Sequence, residues 1–198
     1  MSEWTQHVED FWDGVHRRGS VVHLGGTKAE DYTSYFGKAG PFAEDFAKAG
    51  AVLDIGPGLC RYLEACKGKW RHAIEVSSVG RERVNSAGAS AYEPGKVPAD
   101  LSDLTTCLSV IQHCDELSTK VLIQDAARAT RSGGRFYLNG VEGGHHTPSQ
   151  EGLLYGGRFS YGVERMLEIA KGNGFTEFGR EVYKLGALTV WILCLDRP

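Results

Sequence analysis

From Ala51 to the end of the chain, short apolar runs alternate with amphipathic stretches, and this alternation constrains the fold more than any other feature of the sequence. Strand followed by helix followed by strand is the pattern of βα units, which assemble into a mainly parallel sheet with helices on its faces. The runs are AVLDIG from Ala51, HAIEVS from His72, a weak third near Ala89 to Tyr92, LTTCLSVI from Leu104 to Ile111, and RFYLNGV from Arg135 to Val141. Between them lie helical segments around Arg61 to Ala65 and Arg81 to Asn85, and VLIQDAARAT, for which Ser118 is in the N-cap position. Ser132-Gly133-Gly134 is expected to make the turn into the fifth strand. Val163, Met166, Leu167 and Ala170 have the spacing of one buried helix face. The chain closes with FTEFGREVY, a turn at Lys184 to Ala187, and LTVWILCL. These two strands are joined too briefly for a helical crossover, so they pair antiparallel.

Residues 1–45 read differently. Trp4, Phe11, Trp12, Tyr32, Tyr35 and Phe36 are interrupted by Gly19, Gly25-Gly26 and Gly40-Pro41, which predicts short helices joined by ordered loops. The expected division is therefore an N-terminal helical and loop segment, 1–45, lying over the active site, and a cofactor-binding domain, 46–198. A length of 198 residues allows one ordinary domain with such an extension.

Charge and composition exclude several classes. A net charge of -3, with Arg17-Arg18 beside His16 as the only tight basic cluster, provides no footprint for nucleic acid. No apolar run approaches the roughly 20 residues of a bilayer span, and MSEWTQHVED is unlike a signal peptide, so a cytoplasmic protein with no membrane partner is expected. Cys60, Cys66, Cys107, Cys114 and Cys194 are irregularly spaced and include no CxxC pair, so they read as buried thiols rather than zinc ligands.

The loop after the first run, Gly56-Pro57-Gly58-Leu59-Cys60, has the chemistry of nucleotide recognition. Gly56 permits a sharp turn, and Gly58 removes a Cβ where a ligand approaches backbone. The dinucleotide fingerprint requires a further glycine where Arg61 stands, which weighs against hydride transfer. Glu75 follows the loop by about 20 residues and ends the second strand, where a carboxylate can accept both ribose hydroxyls.

These residues resemble the class I S-adenosylmethionine-dependent methyltransferases. The resemblance runs from about Ala51 to the C-terminus and is carried by Asp54-Ile55-Gly56-Pro57-Gly58, Glu75-Val76-Ser77, Val110-Ile111-Gln112-His113 and the SGGRFYLNG segment. It implies a Rossmann-like, mostly parallel seven-stranded sheet ending in an antiparallel hairpin, with helices on both faces and S-adenosyl-L-methionine as cofactor. It further implies that Asp54, Gly56, Pro57 and Gly58 surround the methionine end, that Glu75 and Val76 face the ribose, and that Ser109, Val110 and Gln112 line the sulfonium side. The sequence departs from the family at Cys60, where the loop usually carries a third small residue, and in SAGASAYEP, where an acid near the adenine is not evident. Asp103 matches the family's acid before the fourth strand and reads as a structural turn residue.

For the reaction, His113 is the candidate base, because an imidazole titrates near neutrality. Tyr32, Tyr35, Asn139, Glu142, His145 and His146 are candidate acceptor contacts, with Tyr155 and Tyr161 near the same edge. Adjacent histidines project in different directions, so no metal is expected. The short loops favour a small-molecule methyl acceptor, methylated on oxygen or nitrogen, and leave monomer and homodimer both open. Two other readings stand beside this one: a nicotinamide-dependent oxidoreductase on a related sheet, and a non-catalytic cofactor-binding module.

Overall fold

The computed structural model describes residues 3–19, 29–143 and 159–198. Among these, seven strands form one sheet: β1 (Ala51–Ile55), β2 (Trp70–Ile74), β3 (Ser90–Tyr92), β4 (Ser102–Cys107), β5 (Thr130–Glu142), β6 (Thr176–Leu185) and β7 (Leu188–Asp196). Their order is β3-β2-β1-β4-β5-β7-β6. The first five are parallel, while β7 runs antiparallel to both β5 and β6. All five residues of β1 are buried, as expected of a central strand covered on both faces. On the edge strand β6, exposed and half-buried residues alternate, because only one of its faces is covered.

The helices are α1 (Glu3–Arg18), α2 (Ala29–Phe36), α3 (Phe42–Lys48), α4 (Arg61–Ala65), α5 (Ser78–Ser86), α6 (Glu116–Ala129) and α7 (Val163–Gly172). One core layer joins α2 to α5 with the sheet through Tyr32, Phe36, Phe42, Tyr62, Val84 and Tyr137. The layer on the opposite face joins α6 and α7 to it through Ile123, Ala126, Met166, Phe175 and Trp191. Because β1 lies between β2 and β4, the chain leaves β1 toward one side of the sheet and returns on the other. The crevice this creates at the carboxyl ends of β1 and β4 is the usual ligand position in such sheets.

Several boundaries differ from the sequence reading for identifiable local reasons. Asp115, not Ser118, is the N-cap of α6, and its carboxylate accepts the Ser118 N–H at 2.7 Å. The fourth strand runs from Ser102 and stops at Cys107; Ser109 then turns through a left-handed φ of 60°, so Ile111–His113 form a 3-10 turn beyond the sheet. Ser132-Gly133-Gly134 does not precede β5 but interrupts it. The pairing with β4 jumps from Ser102↔Thr130 to Leu104↔Arg135, with Gly133 at φ 77°. Of the free cysteines, Cys60, Cys66, Cys107 and Cys194 are buried and Cys114 is half-buried. No helix among the described residues is long and apolar enough to cross a membrane.

Candidate functional site

The candidate site occupies the carboxyl ends of β1, β2 and β4. At its floor, Asp54 is fully buried in β1 and accepts hydrogen bonds from the Thr106 hydroxyl at 2.7 Å and from the Tyr32 hydroxyl at 3.1 and 3.2 Å. Burial pushes its carboxyl up to about 7; the two hydroxyl donors oppose that rise, and the nearby Glu75 charge adds to it. Tyr32 is itself buried and stacks on Tyr62 with ring centroids 4.1 Å apart, so α2 places its hydroxyl on Asp54 through aromatic packing. Desolvation and the Asp54 charge hold the Tyr32 phenol well above its ordinary value.

The loop leaving β1 has three left-handed residues: Gly56 at φ 67°, Gly58 at φ 52° and Cys60 at φ 62°. A Cβ at Gly56 would meet Val110 Cγ2 at 2.5 Å, so glycine there allows the β1 and β4 loops to touch. Cys60 is buried directly before α4, and burial raises its thiol to about 12, which leaves it an unreactive filler of the loop. Pro57 is buried within the same loop.

Glu75 lies just past β2 and is 5% exposed. Its Oε1 accepts the Ser77 N–H at 2.9 Å, while its Oε2 has the His16 ring 3.8 Å away, too far for a hydrogen bond. Arg81 donates to the Glu75 and Val76 carbonyls at 2.9 and 2.6 Å and reaches Glu9 and Glu93 with its other nitrogen. Glu93 directly follows β3, so an acid does stand after the third strand, where the sequence reading found none.

On the other side, Ser109 is exposed, and its N–H donates to Asn139 Oδ1 at 2.6 Å, which stabilises the left-handed turn out of β4. Asn139 Nδ2 reaches the Tyr35 hydroxyl at 3.4 Å. Gln112 is half-buried; its carbonyl accepts the Phe159 N–H at 2.6 Å, and its buried side-chain Oε1 has no partner among the described residues. His113 lies edge-on to Trp12 of α1, with centroids 5.4 Å apart. Glu142 is exposed at the end of β5, and the Tyr161 hydroxyl donates to the Cys114 carbonyl at 2.8 Å.

The fold thus places Asp54, Gly56, Pro57, Gly58, Glu75, Val76, Ser109, Val110, Gln112 and His113 at or just beyond the carboxyl ends of β1, β2 and β4, with Tyr32 bonded to Asp54 and Asn139 to Tyr35. His145, His146 and Tyr155 lie outside the described residues. Among the described residues no group of three or more His, Cys, Asp or Glu side chains could hold a metal. Asp103 lies at the opposite end of β4. Its carboxylate accepts the Gly50 and Ala51 N–H groups at 2.8 and 2.9 Å and pairs with Arg131, a structural role.

Sequence reasoning missed the contribution of α1. Asp13 accepts from Ser77 Oγ at 2.6 Å, Ser78 Oγ at 2.8 Å and Val79 N–H at 3.2 Å, which fixes α1 on the start of α5. Trp12, Asp13 and His16 lie on neighbouring positions of one helical face, a visible pattern, but their partners are about sixty or more residues away in sequence.

No family model and no curated protein sequence matches the chain. Among solved structures, it is similar to the magnesium protoporphyrin IX methyltransferase of Synechocystis, crystallised with S-adenosylmethionine: TM-score 0.69, 13% identity, 100% of this chain and 99% of that one covered. It is similar also to the 1,6-didemethyltoxoflavin N1-methyltransferase of Burkholderia thailandensis, crystallised with its acceptor and S-adenosylhomocysteine: TM-score 0.69, 12% identity, covering 98% and 89%. A third is the phosphoethanolamine N-methyltransferase 2 of Haemonchus contortus, with TM-score 0.63 and 17% identity; the match covers 96% of this chain but 60% of that enzyme. The fold is therefore the Rossmann-like fold of class I methyltransferases.

Proposed function

We propose that the crevice binds S-adenosylmethionine and that the protein transfers its methyl group to an oxygen or nitrogen of a small molecule. The observation that carries this reading is the set of acceptor groups gathered there. Among the described residues, the nearest basic group to Glu75 Oε2 is the His16 ring at 3.8 Å, beyond hydrogen-bond reach, and the buried Gln112 Oε1 has no partner, while Asp54 is a buried acid at the end of the neighbouring strand. Such a set suits a ligand that brings hydroxyl and amino donors together with positive charge. Glu75 would hold the ribose diol, Asp54, Gly56, Pro57 and Gly58 the methionine end, and Val76, Ser109, Val110 and Gln112 the remaining wall. The three solved methyltransferases named above, crystallised with S-adenosylmethionine or S-adenosylhomocysteine, support the same cofactor.

The cofactor supplies an activated methyl group, so the chain's own task is to orient the acceptor and exclude water. His113, held against Trp12, is the group we assign to accept a proton from a hydroxyl acceptor. Tyr35, Asn139 and Glu142 would form the acceptor wall, and Tyr32, bonded to Asp54, would support it. Within the segment 1–45, the described residues of α1 and α2 would serve as the cover of this site. Two of the similar structures are named as N-methyltransferases, which makes nitrogen acceptors the first to screen.

Calorimetric titration with S-adenosylmethionine and S-adenosylhomocysteine tests the cofactor. Binding of both is expected, and its absence at high micromolar concentration would sink the proposal. Replacing Gly58 by leucine should abolish binding, and a His113→Ala variant that keeps full turnover would remove His113 from the reaction.

A further inference from the structure

Glu75, the carboxylate assigned to the ribose, touches a residue from outside the βα units. His16 of α1 is 2% exposed, and its Nε2 lies 3.8 Å from Glu75 Oε2. Its Nδ1 is buried with no hydrogen-bond partner among the described residues. A buried, unpartnered ring nitrogen costs stability, so a histidine here needs a compensating function that an apolar residue could not supply. With hydrogen on Nε2, the tautomer implied by this contact, the ring turns its electropositive edge toward the carboxylate.

The surroundings of the pair are built for this approach. Gly80 lies inside α5, where glycine is unfavourable, and a Cβ on it would come within 2.7 Å of Glu75 Cγ and 2.8 Å of His16 Nε2. Asp13, one helical turn before His16, is fixed by its three hydrogen bonds to residues 77–79, and Arg83 Nη2 donates to the His16 carbonyl at 3.1 Å. Together these contacts hold the imidazole against Oε2 while the Ser77 N–H holds Oε1.

We infer that His16 is a positioning residue for ribose recognition: α1 fixes the rotamer of Glu75 so that Oε2 is presented to a vicinal diol. This rests on the cofactor reading above. The spacing fits the role. At 3.8 Å the imidazole packs against the carboxylate without consuming the hydrogen bond that a ribose hydroxyl would make. The N-terminal helix is then part of the adenosine site and not only its cover.

The test compares binding of S-adenosylhomocysteine with that of its 2′-deoxyribosyl counterpart by calorimetry, because the ratio of the two affinities reports the diol contact and is insensitive to general loosening of the fold. The unsubstituted chain is expected to prefer the ribosyl ligand by about tenfold or more, the worth of one hydrogen bond to a charged group. In His16→Leu the preference should fall to about threefold or less, and His16→Gln, which restores a donor near Nε2, should recover most of it. If His16→Leu does not fold, Gly80→Ala, which wedges a methyl group between the partners, should lower the ratio in the same way. An unchanged tenfold preference in a folded His16→Leu or Gly80→Ala protein would overturn the inference, as would equal binding of both ligands by the unsubstituted chain. If the unsubstituted chain binds neither ligand, it is the cofactor reading that fails.

Discussion

Replacing Asp54 by asparagine should change how stability depends on pH, and the size of the change follows from the site. Asp54 is fully buried, and burial raises its carboxyl from the ordinary 3.8 to about 7 against the pull of the Thr106 and Tyr32 hydroxyls. The folded protein therefore keeps a proton that the unfolded chain loses near pH 4. The stability this contributes is complete below pH 3.8 and is lost as pH rises through 7. Each pH unit in that interval is worth about 1.4 kcal/mol, so the full loss is about 4 kcal/mol, of which about 2 to 3 kcal/mol falls between roughly pH 5 and 7.5. Asparagine does not titrate. In urea unfolding over that range, Asp54→Asn should gain about 2 to 3 kcal/mol relative to the unsubstituted protein as pH rises. Parallel stability curves would show that the folded carboxyl titrates normally, and the argument from burial would fail. The same site predicts proton release on ligand binding: a cation beside Asp54 favours its ionised form, so S-adenosylmethionine should bind more tightly at pH 7.5 than at 5.5, which titrations in buffers of different ionisation enthalpy would reveal.

Three other substitutions examine the rest of the crevice. Gly56→Ala places a Cβ against Val110 at a φ of 67°, and left-handed strain plus overpacking should cost about 2 to 4 kcal/mol in thermal unfolding and abolish cofactor binding. Asp13→Ala leaves the Ser77 and Ser78 hydroxyls and the Val79 N–H without their acceptor. Hydrogen exchange should accelerate through residues 3–18 while β1 and β4 keep their protection, and uniform acceleration would mean that α1 is not a separate cooperative unit. Asn139→Leu removes the acceptor of the Ser109 N–H, an expected loss of about 1 kcal/mol because Ser109 is exposed and water can take its place, and should weaken S-adenosylhomocysteine binding in calorimetry through the released loop.

The sheet was legible in the sequence because its information is local. Continuous apolar runs give central strands, and the glycines at 56 and 58 mark a turn, where both have positive φ. The expected turn at Lys184 to Ala187 makes β6 and β7 pair antiparallel, although Lys184 and Leu185 still belong to β6 and the link is only Gly186-Ala187. Errors arose where two local signals competed and a distant group decided. Asp115 outcompeted Ser118 as the α6 cap. The glycines at 133 and 134 became an interruption inside β5 once β4 paired on both sides of them, and β4 stopped at Cys107 because Asn139 takes the Ser109 N–H. Glu93 was passed over because the third strand is only three residues long and has little periodicity to fix its end.

By itself, then, the sequence determined the order and kind of the elements and the position of Asp54, Gly56, Gly58, Glu75 and Gln112-His113 along them, because periodicity and turn chemistry act over a few residues. Only the tertiary structure decided what surrounds these groups. Tyr32 on Asp54, His16 beside Glu75, Asp13 on the start of α5 and Trp12 against His113 join residues more than twenty and mostly over fifty positions apart. Burial is set by that assembly, and burial is what raises the Asp54 carboxyl to about 7, while the same assembly brings His16 of α1 within 3.8 Å of Glu75.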